Sequence, residues 1–152
     1  MAREFNNKLE MSILMTPDMA NFSGNVHGGD LLKLLDQVAY ACACRYSGRY
    51  CVTLSVDQVF FNLPIKVGEL VTFFAAVNYT GSSSMEVGVK VIAEDIKQRV
   101  VQHTNTCYFT MVAIGDDGKP SPVPAFVAET EEEEKRIEMA KKRRELRLKL
   151  AK

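Results

Sequence analysis

The sequence predicts an α+β domain in which one curved antiparallel sheet wraps around a single long helix. Three observations carry that prediction. The run from Asp30 to Tyr46 has helical periodicity and is apolar over most of its girth, so it must be buried on several sides. Four segments after it are rich in β-branched and aromatic residues and are joined by what read as short turns, which implies antiparallel neighbours. A fifth, strictly alternating segment precedes the helix. One sheet and one all-round apolar helix satisfy each other when the sheet curls around the helix.

The elements follow in order. From Phe5 to Met15, Leu9, Met11, Ile13 and Met15 share a face opposite Glu10 and Ser12, the pattern of a half-buried strand. The stretch "TPDMANFSGN" is a loop rich in turn residues. In the helix, Asp30, Lys33 and Gln37 form a polar stripe, and Asp36 falls on its shoulder. By periodicity alone Asp36 would pair with Lys33 at i, i+3. "SGRY" ends the helix. In "VTLSVDQVFF", Val52, Leu54 and Val56 alternate with Thr53, Ser55 and Asp57, and the apolar phase slips after Asp57, which suggests a bulge. "NLPIKVGE" reads as a turn. Val71, Phe73, Ala75, Val77 and Tyr79 share a face of the next strand, and Met85, Val87, Val89 and Val91 share a face of the one after it. Arg99 to Ile114 is rich in β-branched and aromatic residues on both faces and predicts a central strand. "GDDGKPSPVP" breaks it.

The chain ends in "ETEEEEKRIEMAKKRRELRLKLAK", a charged helix with acids first and bases last, the order that complements the helix dipole. "ETEEE" resembles a capping region. Two roles are open for this helix. It is a solvated helix docked through Met139, Leu146 and Leu150, or its basic half from Lys141 to Lys149 attracts a phosphate-bearing ligand.

A chain of 152 residues predicts one domain. Its 19 basic and 19 acidic residues cancel, which argues against a nucleic-acid partner. No apolar run reaches the roughly 18 residues of a membrane span, and the start lacks a signal-peptide pattern. The expectation is a cytoplasmic protein. The cysteines, Cys42, Cys44, Cys51 and Cys107, show no CxxC spacing, so zinc and dithiol chemistry find no support. They read as reduced, buried small hydrophobes. No metal is expected.

The chemistry-bearing stretch is "NFSGNVHGGD", leading into the helix. Two glycines admit a close backbone approach, and the helix start offers unpaired N–H donors at the positive end of the dipole. A developing oxyanion would be stabilised there. Asp36 lies about 10 Å further along the axis than Gly29. One chain serves both only if the substrate spans that distance, and a partner chain would close the gap.

The strings "TPDMANFSGNVHGGDLLKLLDQVA", "VTLSVDQVFFNLPIKVGE", "SSSMEVGVKV" and "PVPAFVAETEEEEKR" resemble the hotdog-fold acyl-CoA thioesterases. They are similar to the branch that holds bacterial short- and medium-chain enzymes and the mammalian cytosolic acyl-CoA hydrolase. The resemblance implies a hotdog thioesterase domain over residues 1–128, with the charged helix of 129–152 packed on it or extending from it. It implies subunits paired sheet to sheet, assembling further as a trimer of dimers, a hexamer, with each site at a subunit interface. Asp36 takes the catalytic carboxylate position, as a general base for water or as a nucleophile. Asn21 takes the asparagine position, supplied from the other subunit. Gly28 and Gly29 would polarise the thioester carbonyl, with His27 positioning the loop or touching substrate. The reaction needs no cofactor beyond the coenzyme A carried by the substrate.

Coenzyme A needs phosphate contacts. Ser82, Ser83 and Ser84 lie in a turn suited to them, with Arg143 and Arg144 as basic partners and Arg99, Lys66 and Lys90 as weaker ones. Leu32, Val59 and Phe61 are candidates for the acyl-chain surface. His103 reads as a satisfied core or interface histidine, and Asp57 as structural. Two rival functions remain: a hotdog dehydratase or hydratase, which would need a histidine where this helix carries Asp36, and a non-catalytic acyl-CoA sensor.

Overall fold

The computed structural model describes residues 6–151. Five strands, β1 (Lys8–Leu14), β2 (Tyr50–Val56), β3 (Leu70–Thr80), β4 (Ser84–Asp95) and β5 (Val100–Ile114), form one antiparallel sheet in the order β1-β3-β4-β5-β2. Helix α1 (Gly28–Ser47) packs on its inner face, and α2 (Glu131–Leu150) lies on the outer face. The long helix, the alternating first strand and the interior position of β5 match the sequence expectation. Phe5, the expected start of β1, lies outside the described residues.

The inner face is the core. Leu35, Val38, Ala39 and Ala43 of α1 are fully buried against Val71, Phe73, Val87, Val89, Phe109 and Met111 of the sheet. Each large side chain so buried contributes about 1.5–3 kcal/mol. Helix α1 stops at Gly48, whose φ of 69° is the left-handed conformation that suits glycine and whose N–H closes on Cys44 O at 2.8 Å.

Burial also settles the thiols. It pushes Cys42 and Cys107 up to about 12 and, against a hydrogen bond from Ser47, Cys51 up to about 11. At pH 8 iodoacetamide is expected to leave these three unmodified in the folded chain and to alkylate all of them in guanidinium, as intact mass would show. The protonated thiols favour the fold below their ordinary value of 9.0. That contribution is lost as pH rises toward about 12, because unfolded thiols ionise first.

Four local expectations need correction. First, β2 and β3 are not neighbours. They stand at and near opposite edges, and residues 57–69 form a crossing rather than a turn. That crossing passes the start of α1, where Val26 N–H donates to Ile65 O at 2.7 Å. Second, the bulge in β2 falls between Thr53 and Ser55, and the strand ends at Val56. Val52 and Val56 therefore face opposite sides of the sheet, since Val52 opposes Val112 and Val56 opposes the buried Phe109. Third, a bulge between Val77 and Tyr79 turns Tyr79 out of the core phase to oppose Glu86 on the outer face. Both bulges insert one residue and so reverse every side chain beyond them.

Fourth, α2 does not dock through Met139, Leu146 and Leu150, which are 49%, 59% and 84% exposed. Its only fully buried residue is Ala140. The outer face beneath it carries Glu86, 3% exposed, and Asn78, 6% exposed. A buried carboxylate must be paired, so the helix turns its arginines inward. Arg143 makes two hydrogen bonds to Glu86, Nε to Oε2 at 3.0 Å and Nη2 to Oε1 at 2.7 Å, while its guanidinium lies 3.6 Å above the Tyr108 ring. Burial by itself lowers the Arg143 pKa, but the Glu86 bonds and charge outweigh it and the net direction is upward. Thr130 caps the helix, its Oγ1 accepting from Glu133 N–H at 3.1 Å, as the capping pattern predicts.

Candidate active site

Helix α1 begins two residues earlier than its apolar periodicity suggests, at Gly28, because His27 caps it. The His27 Nδ1 accepts from Gly29 N–H at 3.0 Å. A neutral ring that accepts at Nδ1 carries its proton on Nε2. His27 N–H donates to Met19 O at 2.7 Å, which pins the cap to the preceding loop. A Cβ on residue 29 would lie 3.2 Å from Nδ1, so glycine is what lets the cap close. The two glycine donors are therefore unequal in this state. Gly29 N–H is engaged by His27, whereas Gly28 N–H has no acceptor among the described residues. Beside Gly28 stands the Phe61 ring, 3.9 Å from where a Cβ would be.

Asn21 is held by its own turn. Its Oδ1 accepts from Ser23 N–H and Ser23 Oγ, both at 2.9 Å, and from Asn25 N–H at 3.1 Å. The backbone closes the same turn, with Asn21 N–H on Asn25 O at 2.6 Å. The oxygen of the carboxamide is thus consumed, and Nδ2 has no acceptor among the described residues. No hydrogen bond joins Asn21 to Asp36 among the described residues.

Asp36 is half-buried on α1 and is not paired with Lys33. Its Oδ1 accepts from Thr53 Oγ1 at 2.6 Å, across the gap to β2. A short bond from a neutral hydroxyl to a carboxylate is charge-assisted. It fixes one carboxylate oxygen and leaves the other able to accept a proton. Thr53 was not among the residues the sequence singles out. Its only signal there was a polar position in the alternation of β2, shared with Ser55 and Asp57. The bulge separates the three: Thr53 turns inward to α1, while Asp57 turns outward, where Arg147 Nη1 meets its Oδ2 at 2.8 Å.

The serine turn and Arg144 are brought together. A Cβ on Gly81 would sit 2.7 Å from Ser84 Oγ and 3.5 Å from Arg144 Nη1, and Arg144 also donates to Tyr79 OH at 3.3 Å. The carbonyls of Ser82 and Ser83 accept from Val123 and Ala113 N–H, both at 2.9 Å. Arg143 is instead spent on Glu86. Lys66, Lys90 and Arg99 are dispersed: Lys66 bridges to Asn25, Lys90 stands exposed on β4, and Arg99 occupies the β4–β5 hairpin. His103 Nε2 is satisfied by Asn105 O at 3.0 Å and Thr106 Oγ1 at 2.9 Å. A cavity of about 890 Å³ lies between α2 and the outer face, lined by Phe74, Lys90, Tyr108 and Arg136 among others. None of Asn21, His27, Gly28, Gly29 and Asp36 lines it. Among the described residues no group of three or more His, Cys, Asp or Glu could hold a metal ion.

A family model described as the thioesterase superfamily matches residues 23–100. The chain is similar to the protein VdlD of Helicobacter pylori, with 56% identity over 140 residues that cover 92% of this chain and 80% of that protein. Among solved structures it is similar to an acyl-CoA hydrolase of Staphylococcus aureus in complex with butyryl coenzyme A and coenzyme A. The TM-score is 0.85 and the identity 33%, covering 93% of this chain and 86% of that one. It is also similar to an apo-hexameric acyl-CoA thioesterase, with a TM-score of 0.91 and 34% identity, covering 95% and 93%. The S. aureus hydrolase has further structures in which an asparagine, an aspartate or a threonine is replaced by alanine. Those three positions are 15 and 17 residues apart, the same separations as Asn21 to Asp36 and Asp36 to Thr53.

Proposed function

This chain belongs to the thioesterase superfamily, and from that membership we propose that it hydrolyses acyl-CoA thioesters to a free fatty acid and coenzyme A. The observation that carries the proposal is Asp36 held by Thr53, two turns into a helix with a glycine-rich start. Asp36 accepts a proton from water, and the water oxygen attacks the thioester carbonyl carbon. The resulting oxyanion lies against the α1 N-terminus of the partner subunit, which lies on the same loop as the partner subunit's Asn21, with the partner subunit's Gly28 N–H as the open donor. The carbon–sulfur bond then breaks, and the departing thiolate takes up a proton to leave as coenzyme A. His27 holds the loop through its cap rather than acting on substrate. Asn21 Nδ2 orients water or the carbonyl from the partner subunit. Its anchored turn and its lack of any bond to Asp36 within the chain support a role in trans.

The same proposal makes the working form a dimer joined at β2, assembled further into a hexamer. In support, β2 is a sheet edge, and Leu54, Phe60 and Phe61 on and after it are 68%, 58% and 51% exposed. An apolar edge of that kind favours being covered. The hexameric relative supports the larger assembly. The coenzyme A phosphates fall to Arg144 and the Ser82–Ser84 turn, since the two meet at Gly81. Residues 1–128 form the hydrolase domain, with 129–152 as the helix docked on it. The cytoplasm is the proposed location, and the four free cysteines suit it.

Thiol release from a panel of acyl-CoAs tests the activity. Turnover on at least one chain length is expected, and binding without turnover across the panel would give the sensor function instead. In the same assay Thr53→Val is expected to lose about 10- to 100-fold in kcat, the equivalent of a hydrogen bond to a charged group. Thr53→Ser, which keeps the hydroxyl, should stay within a few-fold of wild type.

A further inference from the structure

We infer that Arg147 of α2 is a positioning residue for the active site on the opposite face of the sheet, acting through Asp57. The inference deepens the proposed hydrolase function and rests on it. The physical connection runs along one short segment. At its start Thr53 holds Asp36 at 2.6 Å. At its far end Phe61 packs beside Gly28, the residue with the open N–H. Between them lie the β2 bulge, the end of the strand at Val56 and the beginning of the crossing at 57–69.

Besides its pairing with β5, the segment is held inward by Val59, which packs against the core, and outward by Asp57. Phe60, Phe61 and Leu63 are 58%, 51% and 41% exposed, and β2 is an edge strand paired only with β5. Asp57 is where the segment is tied to the outer face. Its N–H donates to Tyr108 O at 2.9 Å, and its carboxylate meets Arg147 at 2.8 Å, with 21% and 23% of the two side chains exposed. Arg147 also lies 3.7 Å from Glu86 Oε2, and Glu86 is held by Arg143 from one helical turn before. The clasp is therefore anchored in the buried cluster that docks α2, not in a lone surface pair. A partly buried, networked ion pair keeps its geometry better than an exposed one.

The bulge makes this arrangement possible. It turns Thr53 toward α1 and Asp57 toward α2 although the two residues are four apart and would share a face in a regular strand. One segment is thereby gripped from both sides of the sheet. Loosening the outer grip lets the Thr53 hydroxyl drift, and displacing a group that touches the base and not the substrate reduces the rate more than it weakens binding.

The test uses the full chain with Arg147→Ala, Asp57→Asn, Arg147→Lys and, as a control, Arg136→Ala, which breaks only the exposed pair with Glu132 on α2. Arg147→Ala and Asp57→Asn are expected to lower kcat about tenfold with KM within twofold. Arg147→Lys should recover most of that loss, and the double variant Asp57→Asn/Arg147→Ala should be no worse than either single one. Arg136→Ala should match wild type. Hydrogen exchange of residues 57–63 should accelerate in the two impaired variants while α1 stays protected. An unchanged kcat in Asp57→Asn, which keeps the shape of the side chain, would overturn the inference. So would a loss that tracks melting temperature and that lysine does not restore. If the wild-type chain hydrolyses no acyl-CoA, the hydrolase function fails, and hydrogen exchange still reports on the clasp: unchanged exchange at 57–63 refutes it.

Discussion

Asp36→Asn is expected to lower kcat for acyl-CoA hydrolysis by about 100- to 10,000-fold, the range for removing a general base. The substitution is chosen for what it preserves. Asparagine has the same shape, and its Oδ1 can still accept from Thr53 Oγ1, so the link between α1 and β2 survives. What is lost is the ability to take a proton. KM should move little, because the carboxylate acts on water and not on the ground-state thioester. Folding is the necessary control, and an unchanged melting temperature with an unchanged assembly size would separate chemistry from structure. A variant within tenfold of wild type would show that Asp36 is not the base.

Arg143→Ala is expected to cost about 3 kcal/mol of stability, among the largest losses available to a single surface-helix substitution. It leaves Glu86, 3% exposed, without its two guanidinium bonds. A buried charge stripped of its partner pays its desolvation uncompensated. Asn78 Nδ2 at 3.2 Å and Arg147 at 3.7 Å remain and hold the cost to the lower end of the range. The Tyr108 ring loses its cation as well. The double variant Glu86→Gln/Arg143→Ala should recover part of the loss, since no charge is then left buried. Urea denaturation at one fixed protein concentration would measure both, because the stability of an assembled protein varies with concentration. A loss below 1 kcal/mol would show that α2 docks by other means.

Much of the fold was legible along the chain, for reasons of period. Leu9, Met11 and Ile13 alternate in the sequence and are half-buried in β1, with Glu10 and Ser12 exposed between them. The run around Leu35, Val38, Ala39 and Cys42 is apolar on several sides and is buried on several sides. The candidate site was legible in part. The string around His27, Gly28 and Gly29 lies at a helix start, and Asp36 faces β2. Thr53 was not legible, because a hydroxyl in an alternating strand is ordinary and its meaning comes from a partner seventeen residues away on another element.

Two of the errors share one cause. Val56 and Tyr79 were assigned by extending a period past a point where it breaks. A bulge adds one residue and inverts the phase beyond it, and no local composition marks where β2 or β3 does so. The docking of α2 went wrong for a different reason. Met139, Leu146 and Leu150 are the apolar residues that share a face, but the surface awaiting the helix is polar, and a helix follows its receptor as much as its own moment.

The sequence by itself determined the α+β class, the buried helix, the glycines at its start, and the carboxylate two turns on, because these depend on residue type and short-range spacing. Only the tertiary structure decided that β2 crosses to the far edge, that Thr53 holds Asp36, that α2 is clamped by arginines over a buried glutamate, and that Arg147 reaches Asp57. Those are pairings between distant residues, and their energies exist only once the sheet has placed the partners within a few ångströms of one another.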